Sequence, residues 1–218
     1  MHKGVFISFE GSEGCGKSTQ IECLGRHLRA IGYRVRAMRE PGGTPIGEEI
    51  RHTLKHSQNN AAMTPEAELL LMNASRAQLV REVIRPALAA GEIVLSDRFY
   101  DSTLAYQGYG RQLDLAMVRA VVDVAVGRTR PDLTVLLVVP PEISAQRRAQ
   151  RQATMPFVRD RIEEADRGFF ERVEEGFAAL AAAEPARFRV LDAAGAPDNV
   201  AERIYDVVRP DLPKLGRW

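Results

Sequence analysis

The chain has 218 residues, 45% of them hydrophobic, and a formal net charge of +1. That size and apolar share suffice to bury a core in one domain, whereas a charge so near neutral gives no bulk attraction to nucleic acid or to an anionic membrane. Two cysteines, Cys15 and Cys23, cannot make a disulfide framework, and no apolar run reaches the 18 or so residues of a membrane span.

Residues 5–9 form a largely apolar run of the kind a strand buried on both faces carries, so the N-terminus reads as a strand rather than a signal peptide, and a reduced, cytoplasmic protein is expected. Gly11-Ser12-Glu13-Gly14-Cys15-Gly16-Lys17-Ser18 follows and satisfies G-x-x-x-x-G-K-[ST] at every fixed position. Its glycines admit backbone angles that a Cβ forbids, so successive N–H groups turn onto an anion. The helix that begins near Lys17 adds unpaired N–H groups and a positive dipole end. In such a loop the lysine reaches the β- and γ-phosphates and the Ser18 hydroxyl ligates Mg²⁺. Gly11 to Thr19 are therefore candidates for holding ATP. A ligand-free turn does not account for strand, glycine loop and helix occurring together.

A helix over 18–31 carries Ile21, Leu24 and Leu28 on one stripe and stops at Gly32. A second strand over 34–39 is broken by Glu40-Pro41-Gly42-Gly43. A short helix over 45–55 and a polar loop over 57–60 lead to a long helix, opened by Thr64-Pro65 and running to about 88. A third strand over 93–96 delivers Asp97-Arg98 at its carboxyl end. Residues 99–111, rich in Tyr, Ser, Thr, Gln and Gly, predict a binding loop. There follow a helix over 113–126, a buried strand over 133–139, an Arg-rich segment over 142–157, a helix over 161–183, a strand over 188–191 and a helix over 198–208. The alternation predicts an α/β fold of three layers, α/β/α, around a five-stranded parallel sheet, with ligands at the strands' carboxyl ends. One domain over 1–218 is expected.

A phosphate loop alone serves kinases, GTPases, ATPases and sulfotransferases. The N-K-x-D sequence of a GTPase is missing, and the near-neutral charge argues against a nucleic-acid motor. An Asp-Arg pair after the third strand, a polar segment behind it and clustered arginines after the fourth outline a nucleotide kinase with an Arg-rich lid over about 142–160. A kinase for another nucleotide and a non-catalytic ATP-binding regulator remain as alternatives.

At this point the resemblance becomes specific. Phe9-Glu10-Gly11 through Thr19, Arg39-Glu40-Pro41-Gly42-Gly43-Thr44, Asp97-Arg98 with Ser102-Thr103-Leu104-Ala105-Tyr106-Gln107-Gly108, Arg130-Pro131-Asp132-Leu133 and Asp160-Arg161-Ile162-Glu163 resemble the motifs of bacterial thymidylate kinases, in unbroken order over about 5–208. The resemblance implies a P-loop kinase fold, a homodimer, Mg²⁺, and transfer of the γ-phosphoryl group of ATP to dTMP.

Phosphoryl transfer is mostly positioning and charge neutralisation, and an acceptor phosphate is already an anion, so cations rather than a general base are expected. The resemblance makes Arg98 the cation between donor and acceptor and puts Arg51 on the acceptor phosphate. Asp97 is expected to act on Mg²⁺, directly or through water, or to orient neighbours, and Ser18 is the second metal candidate. A structural ion pair between Asp97 and Arg98 is the alternative. Glu13, a carboxylate inside the phosphate cradle, is expected to meet the acceptor's sugar hydroxyl or a metal-bound water. Arg76 implies a contact to the thymine carbonyl. Met72 stands one turn earlier, where the family usually has a stacking Phe, and a plain core methionine is its alternative. Tyr106 is expected over the sugar, Ser102 and Thr103 at the base edge, and Glu40, Pro41 and Gln107 around the acceptor. Position 15 is Cys, so the charge on the γ-phosphate falls to lid arginines: Arg151 as the catalytic candidate, Arg147 on ATP.

Overall fold

The computed structural model describes residues 4–57, 59–154 and 166–214. Five strands, β1 (Val5–Glu10), β2 (Val35–Arg39), β3 (Ile93–Asp97), β4 (Leu133–Val138) and β5 (Phe188–Asp192), form one parallel sheet in the order β2-β3-β1-β4-β5. The register opposes Phe9 to Asp97 across β1 and β3, so the phosphate loop after β1 and the Arg98 turn after β3 leave the sheet side by side. The central strands are buried except at one end residue each, because helices cover both faces.

On one face α1 (Lys17–Ala30) and α9 (Pro197–Val208) enclose Ile7, Phe9, Leu28, Leu95 and Ile204. On the other, α3 (Pro65–Leu79), α6 (Leu115–Val126) and α8 (Arg167–Ala183) enclose Phe6, Leu79, Phe99, Val122 and Phe177. These layers are the α/β/α arrangement of a P-loop nucleotide kinase. Helix starts follow local chemistry. Thr44 accepts from Gly47 N–H ahead of α2 (Pro45–His56), and Thr64 from Ala67 N–H ahead of α3, each with proline in the first turn. Asp114 caps α6 and Asp166 caps α8 in the same way. Among the described residues no helix is long and apolar enough to cross a membrane.

Two elements differ from expectation. The long helix is not regular to its end: α3 passes through a π-helical turn, Val80–Ile84, into α4 (Arg85–Ala89). Pro86 lacks an N–H and its ring crowds the carbonyl one turn back, and the wider turn ahead of it accommodates both. The segment 99–111 is not a loop. It winds into α5 (Tyr100–Thr103) and a π-helical stretch, Leu104–Gly110, with residues 99–108 all buried. Ser102 and Gln107 are met by buried carboxylates and Thr103 and Tyr106 by arginines, so a composition that reads as loop is a buried polar layer. The Arg-rich segment begins as α7 (Pro141–Thr154). The remainder of the expected lid, with Asp160, Arg161, Ile162 and Glu163, lies outside the described residues, as does the start of the helix expected from 161.

Candidate functional site

The phosphate loop is built around backbone that only glycine adopts with ease. Gly11 has φ +132°, and a Cβ there would lie 2.3 Å from Leu137 O. Gly14 has φ +80°, and its Cβ would lie 2.8 Å from Ser144 O at the base of α7. Ser144 Oγ donates to Glu13 O at 2.6 Å, so the Arg-rich helix starts in direct contact with the loop. Cys15 is buried beneath it. Lys17 Nζ is folded into the cradle, donating to Gly11 O at 3.1 Å and Ser12 O at 2.9 Å. Burial and the charge of Arg98 pull that ammonium down, but Cys15, Glu13 and Asp97 outweigh them and leave it above its ordinary value. Ser18 Oγ donates to Asp97 Oδ2 at 2.6 Å, and Ser18 and Thr19 are exposed at the loop's mouth.

Arg98 occupies the seam between this loop and a second cleft. Its Nη1 donates to Gly11 O (3.1 Å) and Ser102 Oγ (2.9 Å), its Nη2 to Glu13 Oε1 (2.8 Å) and the Tyr106 hydroxyl (3.1 Å). The partner of Arg98 is therefore Glu13 and not Asp97. Burial alone would raise the Glu13 carboxyl, but Arg98 and Lys17 beside it hold it well below the usual carboxylate range. Burial works against the Arg98 cation too, yet Tyr106 and the carboxylates of Glu13, Glu10 and Asp97 keep it charged.

The second cleft is open to solvent, spans about 520 Å³ with its mouth included, and is lined by Glu13, Glu40, Pro41, Lys55, Met72, Arg76, Arg98, Ser102, Thr103, Tyr106 and Gln107. It brings together all the residues expected around an acceptor except Arg51, which donates to Pro41 O at 2.9 Å. At its floor Arg76 is almost wholly buried, with Nε on Glu40 Oε2 at 2.7 Å and Nη1 on Asn73 Oδ1 and Thr103 Oγ1, both at 2.8 Å. Desolvation raises the Glu40 carboxyl although Arg76 draws it down. Glu40 Oε1 has no hydrogen-bond partner among the described residues, a buried acceptor left toward the cleft. Met72 is half-buried in the wall rather than closed in the core.

The hydroxyls of Ser102 and Thr103 do not stand free for a base edge. Ser102 links Arg98 to Glu10, and Thr103 accepts from Arg76, so both hold cations in place. Gln107 Nε2 is likewise engaged, donating to Glu68 Oε1 at 2.8 Å. Arg147 Nη2 donates to Ala193 O at 3.0 Å, tying α7 to the turn after β5, and the Arg147 guanidinium passes 3.8 Å from where a Gly16 Cβ would be. The Arg151 side chain lies outside the described residues.

Two participants were not singled out from the sequence. Lys55 lines the acceptor cleft, and its charge acts on Glu13. The available signal was rarity, since the chain has only 4 lysines against 26 arginines. Glu10 is fully buried and accepts from Phe99 N–H at 2.8 Å and Ser102 Oγ at 2.6 Å. A carboxylate closing a largely apolar strand is the mark that pointed to it. Among the described residues no group of three or more His, Cys, Asp and Glu side chains is arranged to hold a metal ion alone. Ser18 and Asp97, two oxygen donors at the mouth of a phosphate loop, suit an ion that takes its other ligands from phosphates and water.

The chain is similar to known proteins of one family. The family model described as thymidylate kinase matches residues 9–204. The thymidylate kinase of Geobacter sulfurreducens is 48% identical over 212 residues, covering 97% of this chain and 99% of the relative. That of Deinococcus radiodurans is 48% identical over 208 residues, covering 95% and 98%. The crystal structure of thymidylate kinase from Ehrlichia chaffeensis superimposes with a TM-score of 0.75 at 30% identity, over 95% of this chain and 99% of that one.

Proposed function

The chain belongs to the thymidylate kinase family, and from that premise we propose how its two clefts carry out the reaction. It is a phosphotransferase that moves the γ-phosphoryl group of ATP to dTMP, giving dTDP and ADP. The observation that carries the assignment of residues is the position of Arg98, whose guanidinium touches the phosphate loop at Gly11 and the acceptor cleft at Ser102 and Tyr106.

ATP lies with its phosphates on the N–H groups of Gly11 to Thr19. Lys17, whose ammonium rests on the loop's own carbonyls, turns to the β- and γ-phosphates when they arrive. Ser18, with Asp97 directly or through water, would hold Mg²⁺, which would supply charge neutralisation on the triphosphate. dTMP fills the cleft with its base toward Arg76 and Met72, its sugar against Tyr106 and its phosphate toward Arg98 and Arg51. An oxygen of that phosphate attacks the γ-phosphorus in line. The P–O bond to ADP breaks as the new one forms, and no proton need be removed. Arg98 spans both anions as charge shifts from one to the other, and Glu13 leaves it for the sugar hydroxyl or a metal-bound water. Arg147 and Arg151 complete the neutralisation on the ATP side.

The same reading makes the enzyme a homodimer working in the cytoplasm on soluble nucleotides, with neither nucleic acid nor membrane as partner. An ADP-release assay with ATP and Mg²⁺ over a panel of nucleoside monophosphates tests it. dTMP should be turned over fastest, with dCMP, dGMP and dAMP slower by at least about a hundredfold, the discrimination that unpaired buried polar groups impose. Equal rates across the panel would sink the assignment of the cleft.

A further inference from the structure

The cation at the seam stands on unfavourable backbone. Arg98 has φ +70°, in the left-handed region where a residue with a Cβ is strained, so its turn must be held by its surroundings. The entry is held from the sheet: Arg98 N–H donates to Phe9 O at 3.0 Å, and Ser96 Oγ donates to Arg98 O at 2.7 Å. The exit is held by one side chain. Glu10, at the end of β1 and wholly buried, binds Phe99 N–H at 2.8 Å with Oε1 and the Ser102 hydroxyl at 2.6 Å with Oε2. Ser102 Oγ in turn accepts from Arg98 Nη1 at 2.9 Å. One planar carboxyl thus fixes both the peptide after Arg98 and the resting place of its guanidinium. Glu10 is not among the residues lining the acceptor cleft.

We propose that Glu10 is a positioning residue for phosphoryl transfer, acting through Phe99 N–H and the Ser102 hydroxyl to hold Arg98 between the two phosphates. The proposal rests on the reading of Arg98 given above. The role is one of shape rather than charge. A charged carboxylate accepts the Ser102 hydroxyl proton and a neutral carboxyl donates its own across the same 2.6 Å contact, so the link holds in either protonation state. A glutamine keeps it as well, its amide oxygen accepting from Phe99 N–H and its amide NH₂ donating to Ser102 Oγ.

Glu10→Ala should lower kcat for dTMP by about 10- to 100-fold, the scale of a misplacement of order 1 Å, with KM for ATP changed less than about twofold. Glu10→Gln should recover kcat to within about threefold of wild type, which a role resting on the negative charge would not allow. In an Arg98→Ala background, Glu10→Ala should cost nothing further, because the group it positions is gone. Additive losses in that cycle, or a Gln variant as poor as Ala, would overturn the proposal. Where circular dichroism shows Glu10→Ala unfolded, Ser102→Ala cuts the same link and must show the same dependence on Arg98. A wild-type enzyme that releases no ADP with dTMP would instead sink the functional reading, and the cycle is then decided on dTMP affinity measured by calorimetry.

Discussion

At the scale of single residues, the site is a balance of buried charges in which each cation already has a role in the protein. Arg98 shows this most clearly, with all four side-chain hydrogen bonds on groups of the phosphate loop and of the buried segment 99–111. Removing it takes one cation from beside the half-buried Glu13 and one from the transferring phosphoryl. Arg98→Ala should therefore lower kcat by a factor on the order of 10³ or more, the scale of losing one transition-state cation. A change confined to KM in steady-state kinetics would mean uniform binding instead. Met72 tests the base. An aromatic ring stacked on a base contributes roughly 1–3 kcal/mol and a thioether roughly 0.3–1.5 kcal/mol. Met72→Phe should tighten dTMP by up to about tenfold and leave ATP unchanged in calorimetric titrations; equal shifts for both nucleotides would return Met72 to a packing role. Glu10 gives a pH signature. Burial first, and the charge of Asp101 second, push its carboxyl from 4.5 up to about 8 against the pull of Arg98. The folded state thus keeps a proton that the unfolded chain releases from pH 4.5 upward, so stability falls as pH rises through that window and levels off above about 8. Glu13 has the opposite sign, but its contribution is already complete at the lower edge of the window and is lost only in acid. The melting temperature of the wild type should decline between pH 5 and 8, and Glu10→Gln should flatten that decline; parallel curves would contradict the raised carboxyl.

At the scale of elements, what the sequence made legible and what it hid divide along a physical line. Strands that end apolar runs and helices that open on Thr-Pro or close on Gly are set by neighbours in the chain, and β1, β3, α2 and α3 begin within a residue or so of where such signals put them. The segment 99–111 depends on distant residues. Ser102 and Gln107 there are met in the interior by Glu10 and Glu68, and Thr103 and Tyr106 by Arg76 and Arg98, so a polar stretch is buried as helix. No local pattern carries that information. The same distinction explains why the P-loop and Arg98 stand out from sequence while Lys55 and the linking role of Ser102 do not. The contact between α7 and the phosphate loop is another long-range feature with a measurable consequence. Gly14 adopts φ +80°, and a Cβ would press on the backbone oxygen of Ser144 at 2.8 Å, an atom that cannot rotate away. Gly14→Ala should therefore separate α7 from the loop. ATP affinity should weaken at least tenfold, a loss of about 1.4 kcal/mol, while dTMP binding alone stays near wild type. Undiminished ATP affinity in a nucleotide-analogue titration would show that the loop can shift without cost.

At the scale of the whole molecule, the proposed dimer is the feature for which sequence and structure point to different surfaces. The resemblance implies a homodimer, and the helix after Thr64 carries Leu69, Leu70, Leu71, Leu79, Val80, Val83, Ile84 and Leu88, more apolar positions than one sheet contact buries. In the fold most of them are used internally: Leu69, Leu79, Val80 and Ile84 are all buried in the chain's own core. The surplus is smaller and lies across two helices. Leu70 on α3 is 58% exposed, and Met117 and Val124 on α6 are 39% and 79% exposed. Arg81 of the turn after α3 donates to Ala125 O near the end of α6, so the two helices run alongside each other. Isolated apolar residues on a surface need no explanation, but several on neighbouring helices suit a self-complementary two-fold contact, which needs about 800 Å² from each partner. Light scattering at micromolar concentration should accordingly report about twice the chain's 24.2 kDa. The double variant Leu70→Glu/Val124→Glu should halve that mass without lowering the melting temperature of the fold, since both side chains are largely in solvent within one chain. A wild-type mass near 24 kDa, or a double variant that stays dimeric, would rule out this face as the interface.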